Sequence, residues 1–118
     1  MNESANLYGN IYISHRAIST IASQSALESY GVVGLAAKNL AEGLAQVLVK
    51  DPILGVDIAY EKNAISIDLY VIVEYGTRIK SVASSVADAV RFNVERALGM
   101  TVSKVNVHVR GLRISNPD

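Results

Sequence analysis

Cysteine and tryptophan are absent from this chain, and phenylalanine occurs once. Without cysteine there are no disulfides, thiolate metal ligands or thiol nucleophiles, a composition that fits a reducing compartment. The only histidines are His15, at a helix start, and His108, on a strand. A metal centre needs several ligands at helical or hairpin spacing, and neither histidine has that company in sequence. There is no Gly-x-Ser-x-Gly elbow and no glycine-rich phosphate loop, so nucleophilic hydrolysis and nucleotide hydrolysis are not expected. No catalytic residue, metal or cofactor is expected. No apolar run nears the roughly 20 residues of a membrane span, and MNESANLYGN lacks a secretory-signal pattern. The expectation is a cytoplasmic protein, peripheral to a membrane only through a partner.

Half of the 118 residues are hydrophobic, enough for one packed domain over the whole chain, with 1–7 and 113–118 as loose tails. The chain is organised around Ile65 to Gly76. Ile65, Ile67, Leu69, Val71, Val73 and Tyr75 form one apolar line, while Ser66, Asp68, Tyr70, Ile72 and Glu74 are mixed. Side chains alternate faces along a strand, so the pattern predicts a long central strand with one buried and one partly wet face.

Ahead of it, a short strand is expected over Tyr8–Ile13. Ser14 then suits the N-cap of a helix beginning at His15, with Ile18, Ile21, Ala22 and Ser25 on its packed stripe. Gly31 and Gly34 punctuate the chain around two valines. From Leu35 to about residue 50, Ala36, Leu40, Leu44, Val47 and Leu48 fall at helical spacing, and Asp51-Pro52 stops that helix. A strand over Ile53–Tyr60 follows, with Val56, Ile58 and Tyr60 inward. A tight connection leads into the central strand, with Asn63 suited to a left-handed position. Thr77 is the expected cap of the longest helix, about Arg78 to Leu98, whose stripe is Ile79, Val82, Val86, Ala89, Val90, Val94 and Ala97. Arg91 and Glu95 are placed in water, and Gly99 at the C-cap. A last strand alternates Val105, Val107 and Val109 inward with Asn106, His108 and Arg110 outward.

The predicted order is therefore β-α-α-β-β-α-β. This is an α+β fold, a two-layer sandwich of a four-stranded sheet with helices on one face, in a split β-α-β arrangement. If the wet faces align, Tyr12, Asp68, Tyr70, Ile72, Glu74, Asn106, His108 and Arg110 share one surface. A semi-apolar open face of this kind marks a protein contact. Tyrosines on an open sheet also suit single-stranded RNA, but net charge is zero and the acids would repel phosphate. A small acid–base enzyme using Asp68 or Glu74 with His108 is the third alternative. The charge is unevenly spread. Residues 1–76 hold four basic groups against eight acidic ones, a net of −4, and residues 77–118 hold seven against three, a net of +4. The halves either neutralise each other within one subunit or meet head to tail between subunits.

Three blocks, GNIYISHRAISTIASQSALESYGVVG (9–34), ISIDLYVIVEYGTRIKSVASSVADAV (65–90) and VNVHVRGL (105–112), together resemble the bacterial alkaline shock protein family of general-stress and envelope-stress proteins. The resemblance spans nearly the whole chain, is most specific at IDLYVIVEYG, and is weakest over 35–55. It implies a non-enzymatic protein of envelope homeostasis and stress tolerance, one that self-associates as a homo-oligomer. It also implies a small membrane-protein anchor as a partner, and it supplies no catalytic residues.

Overall fold

The computed structural model describes residues 14–37 and 48–114. The expected strand at Tyr8–Ile13, with Tyr12, lies outside these residues, as do 38–47 of the expected middle helix and the last four residues of the tail. The described elements are α1 (His15–Leu27), β1 (Val32–Leu35), a 3₁₀ turn (Pro52–Gly55), β2 (Val56–Tyr60), β3 (Ile65–Glu74), α2 (Ile79–Leu98) and β4 (Val102–Arg113). They form an α+β sandwich with both helices on one face of a four-stranded sheet.

β3 is central. β4 runs parallel to it along its full length, while β1 and β2 lie antiparallel to it. A strand has two hydrogen-bonding edges, so β1 and β2 divide the edge opposite β4. β1 takes the Val71–Val73 half and β2 takes the Ile65–Leu69 half. The strands joined by α2 are immediate neighbours, so this β-α-β unit is not split by an intervening strand as expected.

The odd positions of β3 from Ile65 to Val73 are all buried and meet Ile18, Ala22 and Ala26 of α1 and Val82, Val86, Val90 and Val94 of α2. The period-four valine stripe on α2 follows from 3.6 residues per turn. Ser14 caps α1 as its chemistry predicts, its Oγ accepting from the Ala17 N–H at 2.9 Å. Gly99 closes α2 in a left-handed conformation at φ 68°.

Several local expectations are corrected. Val32–Leu35 is a strand rather than punctuation. Leu35 and Ala36, expected to start a helix, are likewise extended, because the Ala36 N–H donates to the Tyr70 carbonyl and Ala36 bridges Leu48. Helical spacing at these positions lost to sheet pairing. Residues 52–55 form the 3₁₀ turn, so β2 starts at Val56, and Tyr60 at its end is exposed. No non-glycine described residue has positive φ, so Asn63 is not left-handed. Arg78 occupies the N-cap of α2 without a side-chain cap bond. Thr77 instead donates its hydroxyl to the Glu74 carbonyl at 2.7 Å. Arg91 and Glu95, expected in water, grip the start of β4. Arg91 Nη1 donates to the Val102 carbonyl at 2.7 Å, and Glu95 Oε2 accepts from the Val102 N–H at 2.9 Å. Arg113 belongs to β4 rather than to a tail.

Candidate protein-contact face

The face of the sheet away from the helices is set by the even positions of β3 and their partners on β4. In register, Asp68 opposes Asn106 and Tyr70 opposes His108. Parallel pairing puts these side chains on one surface, and they close a ladder among themselves. Asn106 Nδ2 donates to Asp68 Oδ1 at 3.1 Å, and His108 Nε2 lies 2.9 Å from the same oxygen. A carboxylate only accepts, so Nε2 carries the proton. The His108 ring stacks on Tyr70 with centroids 4.7 Å apart and an interplanar angle of 12°. A bulge in β4 lets Val109 oppose Val71 and Gly111 oppose Ile72, leaving Arg110 as the additional residue. Its guanidinium stands over the Tyr70 ring, 5.0 Å from the centroid.

Burial pushes the Asp68 carboxyl up, but the hydrogen bonds from His108 and Asn106 and the charges of His108 and Lys104 outweigh it. The net value is below the ordinary carboxyl range. A depressed folded value means that the stability contributed by this carboxylate is complete above its unfolded pKa, about 4. That stability is lost as pH falls through the lower folded value. Asp68→Asn is therefore expected to cost stability near neutral pH, with the difference from the parent shrinking as pH drops from about 5 toward 2. Denaturant melts along that pH series check it.

The eight residues expected on this face are not all brought together. Asp68, Tyr70, Asn106, His108 and Arg110 are. Glu74 lies at the far end of β3, opposite Arg113 in register. Ile72 is fully buried and Tyr70 is only 9% exposed. Gly34 and Gly111 flank Ile72 in the neighbouring strands, and the Leu48 side chain lies over Gly34 on the same face. Ile72 is therefore packing rather than contact surface. The Tyr70 ring, engaged by His108 and Arg110, offers little face for a nucleotide base to stack on.

Asp68 with His108 has the form of an acid–base pair, but among the described residues no hydroxyl or amine nucleophile is bonded to His108, and the pair lies partly exposed on the sheet face. Among the described residues no cluster of His, Asp or Glu could hold a metal ion. Nor is any helix among them long and apolar enough to cross a membrane. Sequence patterning missed Lys104, which contributes to the Asp68 environment. It also placed Tyr75 and Ile79 inward, whereas Tyr75 is 63% and Ile79 41% exposed. β3 ends at Glu74, and the alternation ends with it.

The fold and face define a small two-layer α+β domain whose outer sheet surface carries a polar ladder of Asp68, Asn106 and His108. The chain belongs to the alkaline shock protein 23 family, described by a cell envelope-related function, whose model matches residues 3–114. It is 41% identical over 112 residues to the uncharacterized protein YloU of Bacillus subtilis (strain 168), covering 93% of each chain. It is 34% identical over 108 residues to the uncharacterized protein Spy1614 of Streptococcus pyogenes serotype M6, covering 90% of this chain and 89% of that protein. Among solved structures, a MamM-CTD structure has a TM-score of 0.52 at 14% identity, covering 83% of this chain and 98% of that one. A second MamM-CTD structure has a TM-score of 0.51 at 17% identity, covering 83% and 99%. At such identities the likeness is one of fold.

Proposed function

We propose that this protein is a non-enzymatic, self-associating adaptor of the cell envelope. In this reading it works on the cytoplasmic side, with further copies of itself and a small membrane-protein anchor as partners. The family's cell envelope-related function supports the setting. The self-association rests on one observation, the division of charge between the two edges of a single sheet. β4 forms one edge and carries Lys104, Arg110 and Arg113 with no acid. The opposite edge is formed by β1 and β2, where the only charged residue is Asp57 and Glu61 follows directly. Among the described residues the outer edge of β4 pairs with no strand. A strand edge that pairs with no other strand offers its N–H and C=O groups as a template for another chain.

Edges of opposite sign on one subunit favour head-to-tail contact, which extends rather than closes unless the rotation brings it into a ring. Light scattering at micromolar concentration is expected to show species larger than a monomer that shrink as salt rises. Exposed charge pairs are screened over about 8–10 Å at moderate ionic strength. A strict monomer at low salt would end the self-association part of this reading.

A further inference from the structure

The end of the sheet where β3 leaves for α2 carries side chains that neither the core nor the outer ladder uses. Of the eight large hydrophobic residues exposed among the described residues, five gather here: Tyr30, Tyr75, Ile79, Leu112 and Ile114. Backbone bonds bring them together. The Glu74 N–H donates to the Gly31 carbonyl at 2.8 Å, and the Tyr75 N–H donates to the Arg113 carbonyl at 2.9 Å. Tyr30 and Ile114 therefore flank Tyr75 from either side. They are 84% and 72% exposed, and Tyr75 is 63% exposed.

Basic groups stand beside this apolar set. Arg78 is the N-cap of α2 and Lys80 lies in its first turn, which contains no acid and has no side-chain cap bond. Positive side chains oppose the helix dipole at that end, so they cost the helix stability. Neither side chain has a hydrogen-bond or ion-pair partner among the described residues. Tyr30 and Arg78 also line an open notch with Thr77, Ser81 and Ser85. Tyrosines with wet hydroxyl tips, branched aliphatic groups and bases match the layering of a membrane–water interface. Protein interfaces, by contrast, are depleted in lysine and seat their anchors in pockets on the partner. Here the apolar groups project from a sheet end, a shape that enters a headgroup layer without needing a complementary surface.

We propose that this end of the domain docks directly on an anionic lipid surface. Tyr30, Tyr75 and Ile114 enter the headgroup layer, and Arg78 and Lys80 meet lipid phosphates. This contact requires neither an anchor protein nor self-association.

The test uses the purified full chain and vesicles of phosphatidylcholine alone or mixed with phosphatidylglycerol. Co-sedimentation is expected with the mixed vesicles, weakening as salt rises, and not with the neutral ones. Arg78→Glu combined with Lys80→Glu is expected to lower partitioning at least about tenfold. The same change places acids at a helix N-terminus, so the thermal midpoint should hold or rise, which separates lost binding from unfolding. Tyr75→Trp should emit further to the blue on the mixed vesicles.

Failure to co-sediment with the mixed vesicles would overturn the proposal. Equal binding to neutral vesicles, or a charge-reversed variant that binds like the parent, would do the same. Unchanged Tyr75→Trp emission during binding would assign the contact to another face. Release by inorganic phosphate at low millimolar concentration would reduce the site to a small-anion site. Binding seen only with an added membrane protein would assign the contact to that protein. Light scattering on the same preparations reports self-association independently, so either reading can fail alone.

Discussion

Ile72→Ala is expected to destabilise the protein by about 3 kcal/mol, the usual scale for emptying a buried isoleucine site. For a domain of this size that is a fall of roughly 12 °C in thermal midpoint. The residue sits on the face of β3 that its neighbours Asp68 and Tyr70 mark as polar, yet it has no exposed surface. Its strand partners across the sheet are Gly34 and Gly111, which bring no side chains of their own to that surface. A methyl left at position 72 cannot be compensated by neighbours that lack a Cβ, so the cavity should persist. Differential scanning calorimetry measures the effect. A variant within about 0.5 kcal/mol of the parent, as expected of an ordinary surface site, would contradict the burial.

The second large effect is expected at the turn between α1 and β1. Gly31→Ala should cost about 2–4 kcal/mol, from two causes that add. Gly31 has φ 90°, a conformation that an L side chain adopts only with strain. A Cβ built there would also lie 2.7 Å from Val82 Cγ2. Val82 is 4% exposed, and its branched side chain has one preferred rotamer on a helix, so it cannot swing aside. Gly76 separates the two causes. Its φ is 93°, nearly the same, but an added Cβ meets nothing within 4 Å. Gly76→Ala should therefore show the backbone strain alone, about 1–2 kcal/mol. The difference between the two variants, read from denaturant midpoints, isolates the clash. Equal losses at both sites would mean that Val82 yields.

These two positions mark where sequence patterning succeeds and where it stops. The odd positions of β3 and the valines of α2 repeat at the periods of a strand and a helix, and both stripes are buried. Ser14 and Gly99 were also legible, because a cap depends on the chemistry of one residue and its immediate neighbours. Ile72 was not legible, since alternation assigns it a face but does not say whether that face is covered. Its burial is set by the three-dimensional fold, in which its strand neighbours Gly34 and Gly111 come from other parts of the chain. Leu35 and Ala36 read as helical for a similar reason. Their spacing is ambiguous over a short apolar run, and the hydrogen bond from Ala36 to Tyr70 decided in favour of a strand.

The candidate face divides in the same way. Alternation put Asp68, Asn106, His108 and Arg110 outward, but the ladder required parallel pairing of β3 with β4, which no local pattern specifies. The sequence alone determined a cysteine-free α+β domain, its buried stripes, its opposed charge halves and its family blocks, because these are properties of local order and composition. Tertiary structure decided the rest. Pairing across 38 to 40 residues tied Asp68 to Asn106 and His108. The end of β3 at Glu74 turned Tyr75 from a core position into an exposed one. Long-range pairing and strand ends depend on what the rest of the chain does, and that is the physical reason they could not be read one segment at a time.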